Sequence, residues 1–151
     1  MIRVLVDADA CPVKDEIYKV TARYKVPVVI VSNAIIRIPQ SPLVSRQIVS
    51  DTFDAADDWI AEAATVDSVV ITSDILLADR CLKAGASVIA PNGKPFTTAS
   101  IDSAIATRAI MADLRAGGEA LGGPPPFSKQ DRSRFLSTLD ETLTRHLRAH
   151  R

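Results

Sequence analysis

Four short apolar runs, none of them alternating with polar residues, constrain this chain more than any other feature. They are Ile2-Arg-Val-Leu-Val6, Val28-Val-Ile-Val31, Val69-Val-Ile-Thr72 and Ser87-Val-Ile-Ala90. A strand that is apolar on both sides must be covered on both sides. Such runs, separated by helical segments, predict an α/β fold with a central, mainly parallel sheet between two helical layers. In sheets of this kind ligands bind beyond the carboxyl ends of the strands, near the point where the strand order reverses. The residues that follow each run therefore decide the chemistry.

The segments between the runs read as helices. Pro12 suits a first helical turn, and Val13, Ile17, Val20 and Tyr24 form an apolar stripe ending near residue 24. Residues 33–42, with Pro39 and Pro42, are an irregular connection, and residues 43–50 contain a short strand. Thr52 or Asp54 caps a helix running to about Ala64, with Trp59 on its buried face. Ile75 to Ala84 is helical and Gly85 closes it. Pro91-Asn-Gly-Lys94 turns the chain into a hairpin toward Phe96, and Ala99 to Arg115 is a helix.

Residues 1–116 thus form one domain, and the Gly/Pro-rich residues 117–127 form a loop. Residues 128–151 form a last amphipathic helix, capped by Ser128 with Asp131 three residues on. Leu136, Leu139, Leu143 and Leu147 give this helix an apolar stripe that packs on the same domain or across a homodimer. A chain of 151 residues, 47% apolar, can bury a core without staples.

Other classes are disfavoured. Cys11 and Cys81 form no C-x-x-C pair, and both histidines lie near the C-terminus, so a zinc site does not fit. No run approaches the roughly 20 apolar residues of a membrane span. An Asp interrupts the N-terminal run where a signal peptide would continue, so a cytoplasmic location with no membrane partner is expected. Eighteen basic residues balance eighteen acidic ones, which argues against coating nucleic acid by bulk charge.

Carboxylates stand at the decisive positions. Asp7 and Asp9 follow the first run, and Ser73 and Asp74 follow the third. Asp54, Asp57 and Asp58 stand at the head of the helix between them, and Asp79 lies on the helix after Asp74. Clustered carboxylates raise each other's pKa unless a cation compensates, and Mg²⁺ or Mn²⁺ suits an all-oxygen site. Plainer readings stand beside this one. Asp54, Asp57 and Asp58 suit a first helical turn for capping and dipole reasons, which suffices for Asp58. Asp74 can cap the next helix, and Asp79 reads as a solvated residue. Cys11 is a packed small residue. Ser73, Thr72 and Asn33 can donate to a phosphate or simply close their strands, and Lys14, Arg37 and Arg46 can hold a phosphate backbone or merely be solvated.

The motif Asp7-Ala-Asp-Ala-Cys-Pro-Val-Lys14 resembles the opening of the YaiI/YqxD family of small bacterial proteins. The likeness continues through Val31-Ser-Asn33, Phe53-Asp-Ala-Ala-Asp57, Val70-Ile-Thr-Ser-Asp74, Gly122-Gly-Pro-Pro-Pro126 and Ser128-Lys-Gln-Asp-Arg132. That family is similar in fold to the PIN and NYN nuclease domains. The resemblance implies a three-layer α/β/α PIN-like fold with an extra C-terminal helix, and an acidic site acting on RNA. Asp7, Asp57 and Asp74, with Asp54, would hold Mg²⁺ or Mn²⁺, Asp9 would assist catalysis, and Ser73, Asn33 and Lys14 would contact substrate. Two alternatives remain. Val4-Leu-Val-Asp7-Ala-Asp9 also resembles the opening of haloacid-dehalogenase phosphatases, in which Asp7 would be a nucleophile. A non-catalytic RNA- or protein-binding module is the other.

Overall fold

In a computed structural model of the chain, which describes residues 1–9, 11–52, 54–116 and 127–149, the apolar runs become neighbouring strands of one sheet. In chain order the elements are β1 (Arg3–Asp7), α1 (Lys14–Tyr24), β2 (Val28–Ser32), β3 (Val44–Ile48), α2 (Ala55–Ala63), β4 (Ser68–Ile71), α3 (Ile75–Lys83), β5 (Ser87–Ile89), β6 (Pro95–Phe96), α4 (Thr98–Ala116) and α5 (Lys129–Ala149). The strand order is β3-β2-β1-β4-β5-β6. All pairs are parallel except β5 with β6, which closes the hairpin. The loop expected at 117–127 lies, except for its last residue, outside the described residues.

The two faces of the sheet bury alternate residues of the same strands, as the pleat requires. Val4 and Val6, Val28 and Ile30, Val69 and Ile71, and Ile89 pack with α1 and α5. Leu5, Val31, Val70 and Val88 pack with α2, α3 and α4. Three layers follow, with both sheet faces dry. Each fully buried Val, Leu or Ile among them stabilises the fold by ~1.5–3 kcal/mol relative to exposure.

Two local expectations shift. The first helix begins at Lys14, two residues after Pro12, with Val13 at the capping position and no side-chain cap. The buried stripe of α5 is Phe135, Leu139, Thr142 and Leu143, with Leu136 and Leu147 half-buried at its margins. Phe135 carries the larger apolar surface, so the helix turns it rather than Leu136 onto the sheet. The capping box at Ser128 forms reciprocally: the Asp131 N–H donates to Ser128 Oγ at 3.1 Å and the Ser128 N–H to Asp131 Oδ2 at 3.0 Å.

The C-terminal helix packs on its own domain. Its side chains belong to the core beneath β1, β2 and β4. Asp140 ties it to α1, accepting from Arg23 and from the Tyr24 hydroxyl, both at 2.7 Å.

After β1 the chain moves outward to β2 and β3, then returns to place β4 on the other side of β1. The order reverses at the carboxyl ends of β1 and β4, which opens a crevice there.

Candidate functional site

Register brings the acidic residues of distant segments together. Val6 pairs with Ile71, so the next residues, Asp7 and Thr72, come side by side. Asp7 continues the alternation of Leu5 and therefore points to the α2–α3 face. The buried Thr72 hydroxyl donates to Asp7 Oδ2 at 2.9 Å and accepts the Asp74 N–H at 3.0 Å. Asp74 is the N-cap of α3, its Oδ1 accepting from the N–H groups of Leu76 and Leu77 at 2.9 and 3.2 Å. The capping reading of Asp74 thus holds for one of its oxygens.

The head of α2 faces this pair. Asp54 occupies the N-cap position with φ of 67°, in the left-handed region, and its side chain makes no capping bond. Asp tolerates that conformation better than most residues, but it is still uncommon and tends to mark functional turns. Asp57, one turn later, comes near enough to the Asp74 carboxyl to bond it when one of the two is protonated.

The electrostatics record this convergence. Burial, then the charges of Asp74, Asp7 and Asp54, push Asp57 up to about 6. Burial also raises Asp7, against the Thr72 hydrogen bond that lowers it, and the charges of Asp9 and Asp74 add to the rise. Carboxylates that raise one another are held together against their mutual repulsion.

These groups line a cleft of about 710 Å³. Asp7, Asp9, Asp51, Asp54, Asp57 and Asp74 all contribute, together with Ser73 and Asn33, and none of the described lining residues is basic. Lys14 does not line it. Its ammonium turns back to the Cys11 carbonyl at 3.3 Å, because the helix starts two residues later than Pro12 suggests. Asp58 pairs with Arg80 and Asp79 with Lys83, each at 2.9 Å, so both serve the surface. Cys11 is buried in the core. Sequence reasoning did not see that Thr72 bridges Asp7 to Asp74, nor that Asp51 reaches the cleft. A hydroxyl at the first position past a strand that ends beside an Asp was the available signal for Thr72.

The donor set is all oxygen and strongly anionic, which suits a hard divalent cation. Among the described residues no three acidic, His or Cys side chains converge on one coordination point. Mg²⁺ needs only one or two carboxylates, with waters completing its shell. The Asp57–Asp74 pair beside Asp7 meets that lesser demand.

Thr72→Val, nearly isosteric, leaves the Asp74 N–H and Asp7 Oδ2 without their partner. Urea denaturation should show a loss of about 1–3 kcal/mol, and Asp7 should titrate at still higher pH by carboxyl NMR. Thr72→Ser should retain most of both. Equal behaviour of the Val and Ser variants would refute the bridging role.

The family model described as "Uncharacterized BCR, YaiI/YqxD family" matches residues 5–145. A UPF0178 protein of Sphingopyxis alaskensis is 70% identical over 143 residues, covering 94% of this chain and 93% of the relative. Similar proteins of Bradyrhizobium diazoefficiens (60% identical, 95% and 86% covered) and Nitrobacter winogradskyi (58% identical, 98% and 94% covered) extend the likeness. No solved structure matches the chain.

Proposed function

The chain belongs to the YaiI/YqxD family, and on that footing we propose that it is a divalent-cation-dependent nuclease hydrolysing RNA phosphodiesters, with a PIN-like site in the acidic cleft. One observation carries the reading. Carboxylates from three separate segments, Asp7, Asp57 and Asp74, are gathered where β1 and β4 end, where burial and then neighbouring negative charge raise Asp7 and Asp57, with no cationic side chain among the described lining. Such an arrangement costs stability unless a cation joins it.

One or two of Asp7, Asp57 and Asp74 would hold Mg²⁺ or Mn²⁺ directly, with the others and Asp54 reaching it through its waters, and the ion when bound would activate water and stabilise the leaving oxygen of a phosphodiester. The chain's own groups do the remaining work. Thr72 fixes the direction of Asp7. Asp9, exposed at the cleft with its charge felt by Asp7, would accept a proton from water entering the site. Ser73 and Asn33 offer neutral donors to a phosphate.

The phosphatase reading shares Asp7 and the sheet. It also calls for a lysine beside the phosphate, and the absence of any among the described lining residues weighs against it.

Purified protein should cut single-stranded RNA with Mn²⁺, stop on chelation with EDTA, and bind Mn²⁺ measurably near neutral pH. Asp7→Asn should not cut. Equal cutting by wild type and variant would overturn the nuclease reading. No measurable divalent-ion affinity would instead favour a non-catalytic module.

A further inference from the structure

The charges of this neutral chain are sorted into blocks. Residues 17–50 carry five basic side chains and no acidic one, whereas residues 47–79 carry eight acidic side chains and no basic one. The first block supplies most of α1, with Lys19, Arg23 and Lys25 at its end, then β2, β3 and their connection with Arg37 and Arg46, and the second supplies α2, β4 and most of α3. The acidic cleft takes Asp51, Asp54, Asp57 and Asp74 from the second block and Asp7 and Asp9 from the end of β1, while a separate groove takes Arg37 and Arg46 from the first.

That groove, of about 650 Å³, carries Arg37 and Arg46 and no acidic residue. The connection after β2 separates it from the cleft: Ala34 and Ile36 line the cleft, while Ile35 and Arg37 line the groove. The Arg46 guanidinium donates to the Ile36 carbonyl at 3.1 Å, which holds it against this shared wall. Both arginines are exposed. Among the described residues neither forms an ion pair, whereas Arg23, Arg80, Arg132 and Arg134 each face a carboxylate. Val31 pairs with Asp7 on one side and Gln47 on the other. Arg46, which pairs with Ile30, is therefore two strands from Asp7, with backbones roughly 10 Å apart at ordinary strand spacing, and it leaves the sheet on the α1–α5 face, so the groove meets the cleft only across the connection after β2.

A polyanion entering a cleft of six carboxylates is repelled along its whole length except where a cation sits. It needs a basic flank to stay near. We propose that the Arg37–Arg46 groove is the track that holds the backbone phosphates of a single-stranded RNA whose next phosphates enter the acidic cleft; this rests on the nuclease reading above. Two exposed guanidinium forks, neither facing a carboxylate among the described residues, suit phosphate oxygens. A crevice at the end of a sheet admits one flexible strand more readily than a stiff duplex.

The test is salt-dependent binding of a labelled single-stranded oligoribonucleotide, in the Asp7→Asn background so that the probe stays intact. Adding Arg37→Ala and Arg46→Ala should weaken binding roughly tenfold at low salt. The slope of log affinity against log salt should fall by roughly 1.4, the value for two single-strand phosphate contacts. Both residues are exposed, so an unchanged melting temperature is expected and checks folding. Unchanged affinity and slope, or no RNA binding before the arginines are removed, would overturn the track. So would a polyglutamate peptide that binds and loses affinity as much as RNA does, since the groove would then dock protein. RNA that is bound with this slope but never cut by wild type leaves the track standing and removes the nuclease reading. RNA that is cut and bound equally well without the arginines does the reverse.

Discussion

Asp57→Asn should stabilise the cation-free protein at pH 8 while lowering Mn²⁺-dependent RNA cleavage at least about 10-fold. The stability half follows from linkage. Asp57 rises from 3.8 to about 6 on folding, first through burial and then through Asp74, Asp7 and Asp54. A carboxyl raised by folding binds its proton more tightly in the native state, so stability falls as pH rises from about 4 through 6 and the full penalty stands above that. At face value the difference is worth about 3 kcal/mol. Screening by solvent at this half-exposed carboxylate reduces it to about 1 kcal/mol. Asn is isosteric and its amide can still donate to Asp74. For a domain of this size the melting temperature should rise by about 2–4 °C at pH 8 and stay unchanged at pH 4. Adding Mn²⁺ to the wild type should narrow the gap by mass action. The activity half follows because removing even an outer partner of a metal ligand costs about 10–100-fold, and Asp57 is proposed to reach the ion directly or through its waters. A melting temperature that falls at pH 8 would mean that Asp57 is structurally satisfied rather than held under repulsion.

Gly93→Ala should be the most damaging single-methyl change described here. Gly93 has φ of +89°, where a side chain is strained, and a Cβ would stand 2.6 Å from the backbone of Arg134 and Phe135 in α5. Neither atom is the end of a flexible side chain. The same turn holds the helix through Thr138, whose hydroxyl donates to the Gly93 carbonyl at 2.7 Å. Left-handed strain of about 1–2 kcal/mol and overpacking of about 1–3 kcal/mol should together lower the melting temperature by roughly 5–15 °C. Limited proteolysis should find α5 first, since it would lose its seat. Gly85→Ala is the control. It has φ of +90° and meets only the Val66 Cγ1 tip at 2.7 Å, which can rotate away. It should lose only the strain. Equal losses at the two positions would show that backbone strain, not the docking of α5, governs Gly93.

The apolar runs were legible because a doubly covered strand needs every residue apolar, and that is a local pattern. β3 was harder: Val44-Ser-Arg-Gln-Ile48 is an edge strand, partly exposed, so burial wrote little into it. Asp7 and Asp74 were legible for the same reason as the strands, being the first carboxylates after buried runs. For Asp57 the sequence offered two equal readings, a first-turn helical Asp and a ligand. The structure adds that Asp57 lies close to both Asp74 and Asp7, which raise it. Lys14, expected to contact substrate, bonds the Cys11 carbonyl and is not among the cleft's lining residues, because proximity along the chain says nothing of which way the helix start turns it.

The sequence alone therefore determined the layers, the family and the edge of the sheet at which carboxylates collect. Each of these depends on residue type at short spacing, through pleat, helical period and capping. The tertiary structure decided which carboxylates meet, that Thr72 links the Asp7 carboxylate to the Asp74 backbone, that Asp54 makes no side-chain cap, and that α5 seats on Gly93 of its own domain. Those facts depend on strand register and on crossovers that return the chain after dozens of residues. Asp7 and Thr72 are 65 residues apart and come within hydrogen-bonding distance only because Val6 pairs with Ile71.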